Sequence, residues 1–160
     1  MNAETHLEFL AAHQPMEDQP GEEVMNRYQQ AIRFFYENPN EACIPLFLNS
    51  FANWDDLLTF DSVQMVLRRF PASLVRPHLK QALESPSPAV RQWTLDVARY
   101  FVDDSFLPYL EESFSEEEPI IRMTAAATLE VLGTPGAKEL AKRLLLTEKS
   151  DDVLEILEAI

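Results

Sequence analysis

The sequence predicts an all-α fold, a right-handed α-solenoid of antiparallel helix pairs with a period of about 31 residues. Three observations predict it. Segments of the second half repeat at a fixed shift. Prolines and one glycine stand where the repeats start and stop helices, and apolar residues recur at three and four with no Asn-Gly or Asp-Gly hairpin turn.

From the N-terminus, Thr5 to His13 is a short helix candidate, and QPMEDQPG at 14–21 is a turn-rich connector. Glu22 to Glu37 is a second helix with Val24, Tyr28, Ala31, Ile32 and Phe35 on one face. It ends at Asn38-Pro39, because the residue before a proline disfavours helical backbone. Residues 1–40 are therefore expected to be irregular N-terminal helices. Four repeat units follow, at 41–71, 72–102, 103–134 and 135–160, about ten helices in all. The whole chain, 1–160, is expected to be a single α-helical repeat domain, a length suited to one core.

Laying Pro88 on Pro119 brings Val90 onto Ile121, Arg91 onto Arg122, Thr94 onto Ala125, Ala98 onto Leu129 and Phe101 onto Leu132. The same shift carries Pro77 to Pro108, Leu79 to Leu110 and Leu83 to Phe114. One unit back, Pro45, Phe47 and Phe51 fall beside Pro77, Leu79 and Leu83, a weaker match still in phase. Proline suits the first turn of a helix, where its missing N–H would have had no partner. Pro88 and Pro119 therefore mark helix starts, with Ser87 a candidate N-cap. Gly133 with Pro135 marks a stop and a restart. The last unit, ending in SDDVLEILEAI, is degenerate, as expected of a cap whose outer face has no neighbour.

PAVRQWTLDVA at 88–98 and PIIRMTAAATLEVLG at 119–133 resemble the second helix of HEAT-like repeats, in which a Pro or Asp turn precedes Val-Arg and then small apolar positions. The resemblance is clear over about residues 72–133 and extends more loosely over 41–160. Thr59 departs from it, standing where Arg91 stands in the next unit. The resemblance implies that second helices line a concave face that binds another protein. Carried onto this chain, that face is a stripe of Ala89, Trp93, Asp96 and Tyr100, with Thr124, Ala127 and Val131 following and Ser62, Met65 and Arg69 preceding. Val90, Thr94, Leu95, Val97, Ala98 and Phe101 form the packing side.

Trp93 admits two readings, an interface anchor or a wedge between adjacent repeats. The turns NWDD (53–56), SPSP (85–88), SEEE (115–118) and KSDD (149–152) are expected to stack along one edge. Trp54, Asp55, Asp56, Glu116, Glu117 and Glu118 would then belong to a partner-binding rim that also holds Asp151 and Asp152. The same carboxylates would serve as ordinary helix caps.

The chain carries 13 Lys and Arg against 27 Asp and Glu, a formal charge of −14. Nucleic acid is not an expected partner, since phosphate binding rests on clustered basic side chains. One cysteine, Cys43, allows no internal disulfide or cysteine metal cluster and suits a reducing, cytoplasmic setting. No leader or membrane span is apparent. No HExxH, GxSxG or phosphate-cradling glycine loop occurs, so no catalytic, cofactor or metal residue is assigned. The expectation is a non-catalytic binding module, specifically an acidic inhibitor of a basic toxin or nuclease domain, similar to the HEAT-like immunity proteins of bacteria. The alternatives are a scaffold or chaperone adaptor and, because HEAT-like repeats occur there too, a relative of the phycobiliprotein lyases. A repeat-type DNA glycosylase would need a basic groove, which the charge argues against.

Overall fold

Apolar residues spaced for helices and turns capped by Ser, Thr, Asp and Gly give ten α-helices and one 3-10 turn, with no strand among the described residues. The computed structural model describes residues 1–53 and 57–160, and of Leu57 and Leu58 the backbone alone. Two compact units make up the chain, Met1–Trp93 and Thr94–Ile160.

The first unit holds α1 (Ala3–Ala11), α2 (Glu22–Glu37), α3 (Cys43–Leu48), α4 (Leu57–Leu67), α5 (Ala72–Leu83) and the first half of α6 (Pro88–Ala98). Helix α1 packs on α2 and α3, α2 on α4, and α3 on α5. First helices thus meet first helices and second helices meet second helices, the contact rule of a repeat stack. The N-terminal helices, expected to be irregular, follow this rule as well. The connector 12–21 obscures it in the sequence, yet side-chain and main-chain bonds hold it down. Gln14 Nε2 donates to Leu10 O (2.7 Å) and Leu46 O (2.8 Å), Met16 N to Ser50 O (3.0 Å), and Asn53 N to Asp18 Oδ1 (3.0 Å).

The core of this unit is aromatic. Tyr28, Phe35, Phe47, Phe51 and Phe60 are fully buried and meet edge to face, with Phe51 and Phe60 5.2 Å apart between ring centres. One polar chain threads it. The Ser50 hydroxyl donates to Phe47 O (2.6 Å), so Tyr28 OH must donate to Ser50 Oγ (2.8 Å). Burial pushes the Tyr28 phenol far above its ordinary range, against a smaller opposing effect of Ser50, and keeps it protonated.

The second unit contains the rest of α6, a 3-10 turn (Asp104–Phe106), α7 (Leu107–Ser113), α8 (Pro119–Leu132), α9 (Pro135–Leu144) and α10 (Asp151–Ala159). The contact rule recurs, with α7 on α8 and α9, and α8 on α9 and α10. Small and aliphatic residues fill this core, among them Ile121, Ala125, Ala126, Leu129, Leu140, Ala141, Val153 and Leu157. The Thr128 hydroxyl lies 2.9 Å from both Leu95 O and Thr124 O, tying α8 to the end of α6. Gly133 adopts φ +57°, the left-handed conformation that ends α8, and its N–H returns to Leu129 O. The Thr134 hydroxyl then caps α9 through Ala137 N (3.2 Å). At Gly136 a Cβ would stand 2.8 Å from Leu107 Cδ1, so the missing side chain lets α9 approach α7.

Candidate protein-binding surfaces

The repeated arginine of the second helices has a structural task. Arg91, three residues into α6, turns back so that Nη1 donates to Ser85 O at 2.7 Å. Arg122, at the same place in α8, donates from Nη1 to Glu116 O (2.8 Å) and Glu117 O (2.9 Å). Both reach six residues back and hold main-chain oxygens of the turn before their own helix. The sequence alignment exposed this pair but not its purpose, since a one-line spacing gives no direction to a side chain.

Arg122 does more. Its Nε and Nη2 meet Glu148 Oε2 at 3.0 Å and Oε1 at 3.2 Å, a two-pronged pair with 15% and 5% of the two side chains exposed. Glu148 Oε1 also accepts from Lys149 N (2.8 Å) and Ser150 N (2.9 Å). Burial alone would raise the Glu148 carboxyl. The Arg122 hydrogen bond and the two N–H groups outweigh it, and the group sits below its ordinary 4.5. One guanidinium therefore joins the turns 115–118 and 148–150, the neighbouring turns expected along one edge.

In the sequence, exposed carboxylates flank the two turns so joined. Glu111 and Glu112 on α7, Glu117 and Glu118 before α8, and Asp151 and Asp152 in the first turn of α10 are exposed, while Glu116 is half-buried. Glu118 is the N-cap residue of α8, but its side chain makes no capping bond; Asp103 does cap, accepting from Ser105 N at 3.0 Å. The second unit holds fifteen carboxylates against six basic side chains, a formal −9, and the first holds twelve against seven, −5. Arg143 offsets Glu111 at 3.0 Å on the exposed surface. Trp54, Asp55 and Asp56 lie outside the described residues.

The stripe on α6 changes in two respects. Ala89 is 5% exposed and belongs to the core. The helix ends at Ala98, and Arg99, Tyr100 and Phe101 form a tight turn with N–H bonds to Asp96, Val97 and Ala98 carbonyls, so Tyr100 leaves the helical spacing assumed for it. Tyr100 is nevertheless half exposed, and Asp96 pairs with Arg99 at 3.2 Å. Trp93 is half-buried and leans on the preceding repeat unit. Its Nε1 donates to Ala52 O (3.2 Å), and its ring lies 5.2 Å from Phe60 and 6.1 Å from Phe51. The residues expected on the packing side, Val90, Thr94, Leu95, Val97, Ala98 and Phe101, are all buried.

Nucleophile chemistry is disfavoured at Cys43, whose thiol burial pushes up to about 12 against smaller opposing backbone hydrogen bonds. His6 is buried against Phe34 at 4.7 Å, and burial first, then the N-terminal amine and Arg27, lower its pKa, so it packs as a neutral ring. Among the described residues no group of His, Cys, Asp and Glu is placed to hold a metal ion, and no helix is long and apolar enough to cross a membrane.

Paired helices stacked by type, with turns held from behind by arginines, define a helical-repeat fold. The family model for HEAT repeats matches residues 76–160, more than half of the chain, and the protein belongs to that family, with the α-solenoid fold class it implies. HEAT repeats are typically non-catalytic and commonly mediate protein interactions. No curated protein and no solved structure matches the chain.

Proposed function

We propose that this HEAT-repeat protein is a non-catalytic module that binds a basic protein through its second unit. The observation that carries the reading is the arc of exposed carboxylates at Glu111, Glu112, Glu117, Glu118, Asp151 and Asp152, set around turns that Arg122 and Glu148 hold in place. A charged surface on rigid turns steers an oppositely charged partner and meets it without an ordering cost. Asp96 and Tyr100 lie in the same unit and supply a carboxylate and an aromatic anchor beside it in sequence. In its finer form the module is a cytoplasmic inhibitor that covers the positively charged site of a toxin such as a nuclease, acting stoichiometrically.

Affinity capture with the full chain, followed by kinetics of the captured partner, tests this. The expected partner is basic, its association rate falls steeply between about 50 and about 500 mM salt, and Glu117→Lys with Glu118→Lys slows association at least about tenfold. An acidic partner, or one whose rate is indifferent to salt and to those substitutions, overturns the reading. A basic partner without toxic activity leaves the interaction module and removes the inhibitor.

A further inference from the structure

The first unit carries a surface of opposite character. Helices α2 and α4 lie side by side with Gln29 against Thr59 at one end and Tyr36 near Arg69 at the other. Between them runs a groove of about 430 Å³ whose floor includes Ile32 and Met65, and which continues into a pocket of about 260 Å³. Tyr36 is 42% and Met65 48% exposed, a large apolar area to leave in water. Arg33 lines the groove, Arg68 and Arg69 line the pocket, and the Arg69 guanidinium sits 5.4 Å over the Tyr36 ring. Among the described residues no carboxylate lines either part. Three of the unit's seven basic side chains thus gather on one groove in a chain whose net charge is −14.

We propose that the α2–α4 groove binds an acidic segment of another protein, one that sets an aliphatic or aromatic side chain between Ile32 and Met65 and carboxylates against Arg33 and Arg69. Charge complementarity selects this occupant. Arginine forks match carboxylates in two-pronged geometry and stack on aromatic rings, which lysine does not reproduce. The thioether of Met65 adapts to the shape of an anchor, and two flanking helices form the kind of trough in which an amphipathic segment lies. The site is independent of the acidic arc and would take a partner of the opposite sign.

The test selects random 12-residue peptides displayed on phage against the full chain. Peptides enriched in Asp and Glu around one Leu, Ile or Phe are expected. Arg33→Glu with Arg69→Glu should weaken a synthetic copy of the best one at least about tenfold by fluorescence anisotropy. Met65→Ala should weaken it less, and Glu117→Lys with Glu118→Lys should leave it unchanged, which separates this site from the arc. Unfolding midpoints of the variants, whose side chains are on the surface, are expected to stay at wild type. Enrichment of neutral or basic peptides, binding insensitive to the arginine reversals, or a labelled single-stranded oligonucleotide competing for the groove would overturn the proposal.

Discussion

The two units obey one contact rule with different materials. The first, Met1–Trp93, is centred on interlocked aromatic rings and holds eleven of the sixteen aromatic residues. The second, Thr94–Ile160, packs alanines and aliphatics closely and fastens its turns with a buried ion pair. The difference teaches that a helical repeat can keep its architecture while exchanging its source of cohesion. Interlocked rings fill the first core, whereas in the second a missing side chain lets two helices approach, as Gly136 against Leu107 shows.

Removing a ring should therefore cost the first unit most. Phe60→Ala leaves a cavity bordered by Tyr28, Phe51 and Trp93, and a loss of about 3–5 kcal/mol in urea unfolding is expected. A loss under about 1 kcal/mol would mean that the aromatic cluster relaxes to close the gap.

In the second unit the corresponding weak point is the ion pair. Arg122→Met leaves Glu148 buried with only main-chain donors and frees two turn carbonyls, for an expected loss of about 2–4 kcal/mol. The pair also fixes a sign for pH. Because the folded carboxyl lies below 4.5, its stabilisation is complete above that value and disappears as pH falls through the lowered folded value. Wild type should lose stability on acidification below pH 4.5 more steeply than Arg122→Met, compared by thermal unfolding.

Trp93→Ala should cost about 2–3 kcal/mol, less than Phe60 because part of the indole is exposed, and should leave binding through the acidic arc intact. Loss of partner binding at unchanged stability would restore the anchor role. The smallest effect is expected at Thr94, a buried residue whose hydroxyl has no hydrogen-bond partner among the described residues. Thr94→Val should be neutral or stabilise by up to about 1 kcal/mol in the same assay, since it removes an unsatisfied polar group at constant shape.

The same contrast explains what the sequence disclosed. The repeat was legible where small apolar positions, a leading proline and an arginine recur, as at Pro88 and Pro119, and the family match begins only at residue 76. Upstream, Tyr28, Phe35, Phe47 and Phe60 fill equivalent space with unlike shapes, and Thr59 replaces the arginine, so the helix pair α1–α2 resembled a loose preface. Helix ends marked by Ser87 and Gly133 were legible because capping is local chemistry. Tyr100 and Ala89 were misplaced because helical spacing does not announce that the last turn tightens, nor which edge of a stripe is covered. Ser62, Met65 and Arg69 of the groove stood on the stripe carried over from the resemblance, whereas Arg33 and Tyr36 come from α2, and no local pattern could have set that helix beside them.

Arg91 grips a backbone oxygen of the turn before α6, and Arg122 grips two of the turn before α8 as well as the Glu148 side chain of the next turn. The path of the 115–118 turn is thus insulated from its own spelling. Glu117 could become lysine, serine or tyrosine and the main chain would trace the same curve. A turn built this way can change its exposed side chains one letter at a time while the scaffold stays constant, provided Arg122 and Glu148 are left alone.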